Sequence, residues 1–160
     1  MKQNCTGAGI IMFFDNSGLR QPIIQDLDTG ILYLFMKGLD DKFDFPKGTI
    51  DFGEFPLDCA IREAKEEINL SVDDYTMIDK VGKDFFSNKK HNTHVLRMYI
   101  AEIKKDSLYN AALKKNPHTG VIEHKSFTFS KKNTYEDDLL HFLKDPLEWS
   151  NNIILDYLGA

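Results

Sequence analysis

Three glutamates, Glu63, Glu66 and Glu67, stand three and four residues apart in the run Arg62-Glu63-Ala64-Lys65-Glu66-Glu67. On a helix, at about 100° per residue, those positions fall on one face and their side chains meet. Like charges so placed destabilise a helix by about 0.2–0.5 kcal/mol per pair, so the trio needs a cation or full solvation. Magnesium suits such a set, because it prefers hard oxygen ligands and keeps several waters while bridging to phosphate. An acidic stripe is more usually just a solvated face. Two neighbours argue for more here. Arg62 is embedded in the cluster, where it can orient a carboxylate. Glu54 stands just upstream, in a glycine-containing loop able to bring backbone close to a ligand.

The helix carrying these residues is expected over Pro56–Asn69. Pro56 suits a first turn and Asn69 tolerates the left-handed cap conformation. Leu57, Ile61, Ala64 and Ile68 form its apolar stripe, opposite the glutamates. Cys59 projects to the acidic side by wheel position, without a partner to activate it as a nucleophile. Phe43–Gly53 reads as a loop, since it holds Pro46, Gly48 and Gly53. Strands are expected at Ile10–Phe14, Ile31–Met36, Thr76–Phe86, His94–Ile103 and Val121–Ser130, with a surface excursion at Gln21–Gly30. Two short helices, Thr134–Leu143 and Leu147–Leu158, are expected to be broken apart by Pro146, with Trp149 packing. Irregular alternation of strands and helices implies an α/β fold, a mixed sheet covered by helices.

The chain has 160 residues, 42% of them hydrophobic. That is enough for one domain spanning 1–160 with a real core. A net charge of -5 argues against a general nucleic-acid binder, whose phosphate contacts need surplus Lys and Arg. It leaves room for one nucleotide held through a metal, which brings its own positive charge. The two cysteines, Cys5 and Cys59, read as reduced thiols of an intracellular, cytoplasmic protein. No signal-peptide pattern is visible, and Ile10–Phe14 is too short to span a bilayer, so no membrane partner is expected. The five histidines show no zinc-like spacing with cysteine.

Written out, Gly48-Thr49-Ile50-Asp51-Phe52-Gly53-Glu54, seven residues, then Arg62-Glu63-Ala64-Lys65-Glu66-Glu67-Ile68-Asn69-Leu70 resembles the Nudix box. All its charged positions and both spacings match. The departures are Asn69 where the family has Gly, and Ala64 at the aliphatic position. The resemblance implies a Nudix α/β/α sandwich and a hydrolase cutting a diphosphate linkage. It implies that Glu63, Glu66 and Glu67, with the Gly48 carbonyl, bind Mg²⁺ or Mn²⁺. Arg62 would orient the carboxylates, paired with Glu54, and Glu63 is the candidate general base. Many members add a carboxylate from a later segment; Glu123 is nominated, although it lies outside the motif.

For the substrate, Phe43-Asp44-Phe45-Pro46-Lys47-Gly48 is similar to the segment preceding the box in dinucleoside tetraphosphate hydrolases and in mRNA-decapping enzymes, with Phe43 where both groups carry Trp. A small acidic domain favours a free nucleotide, such as a dinucleoside polyphosphate. Capped or 5'-triphosphate RNA is the alternative, because Asp79–Lys115 carries nine Lys or Arg against four acids. Lys47, Lys89 and Lys90 are candidates to hold phosphate, although charged strand edges also discourage aggregation. Phe43, Phe45, Phe85 and Phe86 are candidates to stack a base, Phe43 foremost. A non-catalytic nucleotide- or RNA-binding module is a further class, disfavoured by the complete acidic set. The C-terminal helices leave monomer and homodimer both open.

Overall fold

The computed structural model describes residues 5–87 and 94–159. Its frame is a seven-stranded mixed sheet built from β1 (Gly7–Asn16), β2 (Gly30–Gly38), β3 (Phe43–Asp44), β4 (Lys47–Thr49), β5 (Tyr75–Phe86), β6 (Val95–Ile103) and β7 (His124–Ser130). The main path runs β3-β2-β1-β6-β5, with β4 on β1 and β7 on β2. Among the strands of the described residues only β1 and β6 pair in parallel, apart from an isolated parallel bridge between Phe43 and Leu139.

Nine of the ten β1 residues are buried, which explains why its sequence is a continuous apolar run rather than an alternation. Its side chains still alternate between faces. Ala8, Ile10, Met12 and Phe14 join one core cluster with the helix α1 (Pro56–Ile68). Ile11 and Phe13 join a second, with the helix α2 (Lys144–Leu158). Helices therefore cover both faces of the sheet, the α/β/α sandwich expected.

Several expectations need correction. The stretch Phe43–Gly53 is not all loop: β3 pairs with β2 and β4 with β1, and such pairing is dictated by distant residues rather than by local glycines. Val121–Glu123 lie ahead of β7 rather than within it. Thr134–Leu143 is mostly turns, with a 3-10 segment at His141–Leu143. The Phe43 amide donates to Asp138 O and the Leu140 amide to Phe43 O, so β3 captures backbone groups that a helix would have used. Pro146 sits in the first turn of α2 and breaks nothing, because the amide it lacks would have had no helical partner there. Trp149 packs its ring against Phe85.

Candidate active site

The site begins with β4 and α1. Gly48 pairs with Ala8 of β1, and α1 starts one turn-rich loop later. The helix ends at Asn69, whose φ of 65° is left-handed. It buries Cys59, Ala60, Ala64 and Ile68, a stripe turned from the expected one: Leu57 and Ile61 are only half-buried and Cys59 is in the core. Burial pushes the Cys59 thiol up to about 12, and its sulfur lies 3.6 Å from Gly48 O. This position gives it no nucleophilic character.

Burying one face of α1 leaves Arg62, Glu63, Glu66 and Glu67 half-buried beside β4. Arg62 ties the loop to the helix. Its Nε and Nη2 donate to the two Glu54 oxygens at 2.9 and 3.0 Å, Nη2 also to Thr49 O at 3.0 Å, and Nη1 to Glu63 at 2.9 Å and Glu66 at 3.1 Å. The Arg62 hydrogen bonds hold Glu54 below the usual carboxylate range. Glu63 goes the other way, raised chiefly by burial and then by Glu66 and Glu123. Glu67 is pushed up to about 8 by burial, with Asp44 and Glu63 adding to the effect, although its Oε1 accepts the Lys47 amide at 2.8 Å.

Glu63, Glu66, Glu67 and Glu123 line one narrow cleft with His124 and Asn116. Glu123 is steadied by Asn116 Nδ2 at 2.9 Å. The backbone of Gly48 is pressed against Glu63: a Cβ there would fall 2.1 Å from the carboxylate carbon. Among the described residues no three acidic, histidine or cysteine side chains already converge as an ion cage; Arg62 draws Glu63 and Glu66 toward itself. The donor set nonetheless fits a hard divalent cation. All its side-chain donors are carboxylate oxygens, and Glu63 and Glu67 are raised chiefly by burial and then by neighbouring carboxylates.

Two residues here escaped the sequence reading. His124 is buried, with Nδ1 3.9 Å from Glu67 and Nε2 3.8 Å from Asp44. Asp44 also pairs with Lys47 Nζ at 3.1 Å. The adjacency of His124 to Glu123 and of Asp44 to Phe45-Pro46-Lys47 was the only signal, and neither forms a spaced pattern. Phe43 needs correction as a stacking platform. It is 6% exposed and lies flat on Tyr135, centroids 3.7 Å apart, so that face is taken. Phe45 is buried and Phe85 packs on Trp149; of the four aromatics named above, Phe86 keeps an exposed ring. Lys89 and Lys90 lie outside the described residues. Lys47 stands between two larger clefts, of about 330 Å³ and about 420 Å³.

The family profile described as NUDIX domain matches residues 23–147. Similar solved structures share its fold. A C. elegans Ap4A hydrolase in a binary complex has TM-score 0.68 at 19% identity, covering 94% of this chain and 98% of that one. The E. coli dihydroneopterin triphosphate pyrophosphohydrolase has TM-score 0.56 at 16% identity, covering 99% and 98%. The NUDIX domain of Shewanella oneidensis NrtR, complexed with ADP ribose, has TM-score 0.64 at 11% identity, covering 96% and 90%. With a profile match over most of its length and a box complete in every charged position, this chain belongs to the Nudix family of hydrolases.

Proposed function

We propose that residues 1–160 act as one catalytic domain, a metal-dependent pyrophosphohydrolase that cleaves a diphosphate linkage in a nucleoside diphosphate derivative, foremost a dinucleoside polyphosphate. The observation that carries this reading is the gathering of Glu63, Glu66, Glu67 and Glu123 around one cleft beside the Gly48 backbone. These four carboxylates, with the Gly48 carbonyl, would hold Mg²⁺ or Mn²⁺. A bound ion supplies neutralisation of phosphoryl charge and lowers the pKa of a coordinated water. Glu63 accepts the proton from the attacking water, and burial raises its affinity for that proton above that of an ordinary carboxylate. Arg62 fixes the distance between loop and helix through Glu54 and Thr49. Lys47 meets the phosphate chain from the β4 side.

The cleft of about 330 Å³, lined by Thr6, Leu96, Ser87 and Phe142 beside Gly48, has the size and mixed lining that suit a nucleoside. The fold likeness to an Ap4A hydrolase points the same way. Free thiols at Cys5 and Cys59 support a cytoplasmic setting, and no helix among the described residues is long and apolar enough to cross a membrane.

The test is a Mg²⁺- or Mn²⁺-dependent phosphate-release screen over dinucleoside polyphosphates, nucleoside triphosphates, nucleotide sugars, nucleotide-linked cofactors and capped RNA. Release from a dinucleoside polyphosphate, abolished by chelator, is the expected result. Binding without turnover of any substrate would leave a nucleotide-binding module, and turnover confined to capped RNA would leave the decapping alternative.

A further inference from the structure

We propose that the cleft between the β2–β3 turn and β7 is a second subsite, taking a neutral nucleoside whose phosphates lead into the acidic cleft; this rests on the hydrolase reading above. The cleft has a volume of about 420 Å³, within the range of small-molecule sites. It is continuous with the catalytic centre, sharing Glu67, Glu123 and His124 with the acidic cleft and Lys47 with the cleft of about 330 Å³. A ligand reaching both larger clefts therefore carries its phosphates past Lys47 and the glutamates, with a bulky group at each end.

The wall is preformed. The Gly38 amide donates to Lys42 O at 2.8 Å, Asp40 Oδ1 accepts the Lys42 amide at 3.0 Å, and Lys125 pairs with Asp41 at 2.6 Å. Such bracing lowers the ordering cost of binding. Leu39 and Val121 stand at its lips, 62% and 54% exposed, and offer apolar faces to a flat ring.

Charge bears on the occupant. Glu67 and Glu123 belong to the set that would hold the cation, and Asp44 pairs with Lys47. The outer lining sets Asp40 against Lys42, with no surplus of cations to hold the continuing phosphodiester of an RNA. A ribose and base are neutral, bring hydroxyl and amino donors for the carboxylates, and cover the apolar lips.

The test measures affinity with Ca²⁺ in place of Mg²⁺ to suppress turnover, using diadenosine tetraphosphate, ATP and a capped oligonucleotide on the full chain. Wild type is expected to bind diadenosine tetraphosphate at least about tenfold more tightly than ATP. In Leu39→Asp and Val121→Asp the gap should collapse, while affinity for ATP stays within about twofold and the melting temperature is kept. Equal wild-type affinity for the two ligands overturns the subsite, as does an equal loss for both in the variants. A gain seen only with the capped oligonucleotide overturns the occupant. If the gap holds but no nucleotide is hydrolysed with Mg²⁺, the subsite stands and the hydrolase reading falls.

Discussion

Glu67 has its Oε1 on the Lys47 amide, Asp44 and Glu63 nearby, and His124 facing its other oxygen. Its carboxyl is raised from 4.5 to about 8, chiefly by burial. Glu67→Gln keeps the shape and removes the charge, so kcat at saturating Mg²⁺ should fall at least about a hundredfold. Near-normal phosphate release would remove Glu67 from the ligand set. The metal-free protein offers an independent measure. A carboxyl whose folded pKa lies above its unfolded value stabilises the fold below the unfolded value and loses that contribution as pH rises through the folded one. For Glu67 the loss runs from about pH 4.5 to about pH 8, and the raised Glu63 acts in the same direction. Melting temperature without metal should therefore drop across that window, by about 2–4 °C for each kcal/mol lost in a chain of this size. Glu67→Gln should flatten the drop, and Mg²⁺ should reverse it in wild type alone; a wild-type profile as flat as the variant's contradicts the burial of the charge.

The C-terminus of α1 shows how a departure from the family pattern is accommodated by an element. Asn69 takes the left-handed turn that glycine usually takes, at φ 65°, and its Nδ2 donates to Asn110 O. Asn69→Ala should cost about 1–2 kcal/mol in urea unfolding, since a Cβ without the local hydrogen bonding of Asn is unwelcome there. Asn69→Gly should cost less, and equal costs would show that the Asn110 contact, lost in both variants, and not the turn sets the cap. Both ends of the helix were legible in the sequence, because Pro56, the 3.6-residue period and Asn69 are all local signals. Strands β1, β2 and β6 were legible as largely apolar runs, and β5 from the β-branched and aromatic residues spread through a mixed segment. What escaped was set by distant partners: β3 and β4 exist because β2 and β1 lie beside them, and Thr134–Leu143 is unwound by backbone bonds to Phe43. The acidic trio and Arg62–Glu54 could be named from spacing within one element, whereas Asp44 and His124 join Glu67 only once β3 and β7 are folded against α1.

Across the whole molecule the sheet separates two cores of different consequence. Ile68 sits in the cluster under α1, next in sequence to Glu67; Ile154 sits in the cluster under α2, on the far face. Both are fully buried, so Ile68→Ala and Ile154→Ala should each cost about 2–5 kcal/mol of stability. Their effects on catalysis should differ. A cavity under α1 lets the helix shift and moves Glu63, Glu66 and Glu67 relative to Gly48, whose backbone lies against the Glu63 carboxylate. A cavity under α2 must be transmitted through β1 and β2, whose central residues are buried and close-packed on both faces. Magnesium titrations of activity, run well below both melting transitions, should show Ile68→Ala needing several-fold more Mg²⁺ for half-maximal rate, while Ile154→Ala stays within about twofold of wild type. An equal shift in the two variants would mean that the sheet couples its faces, and that α2 helps to place the carboxylates after all.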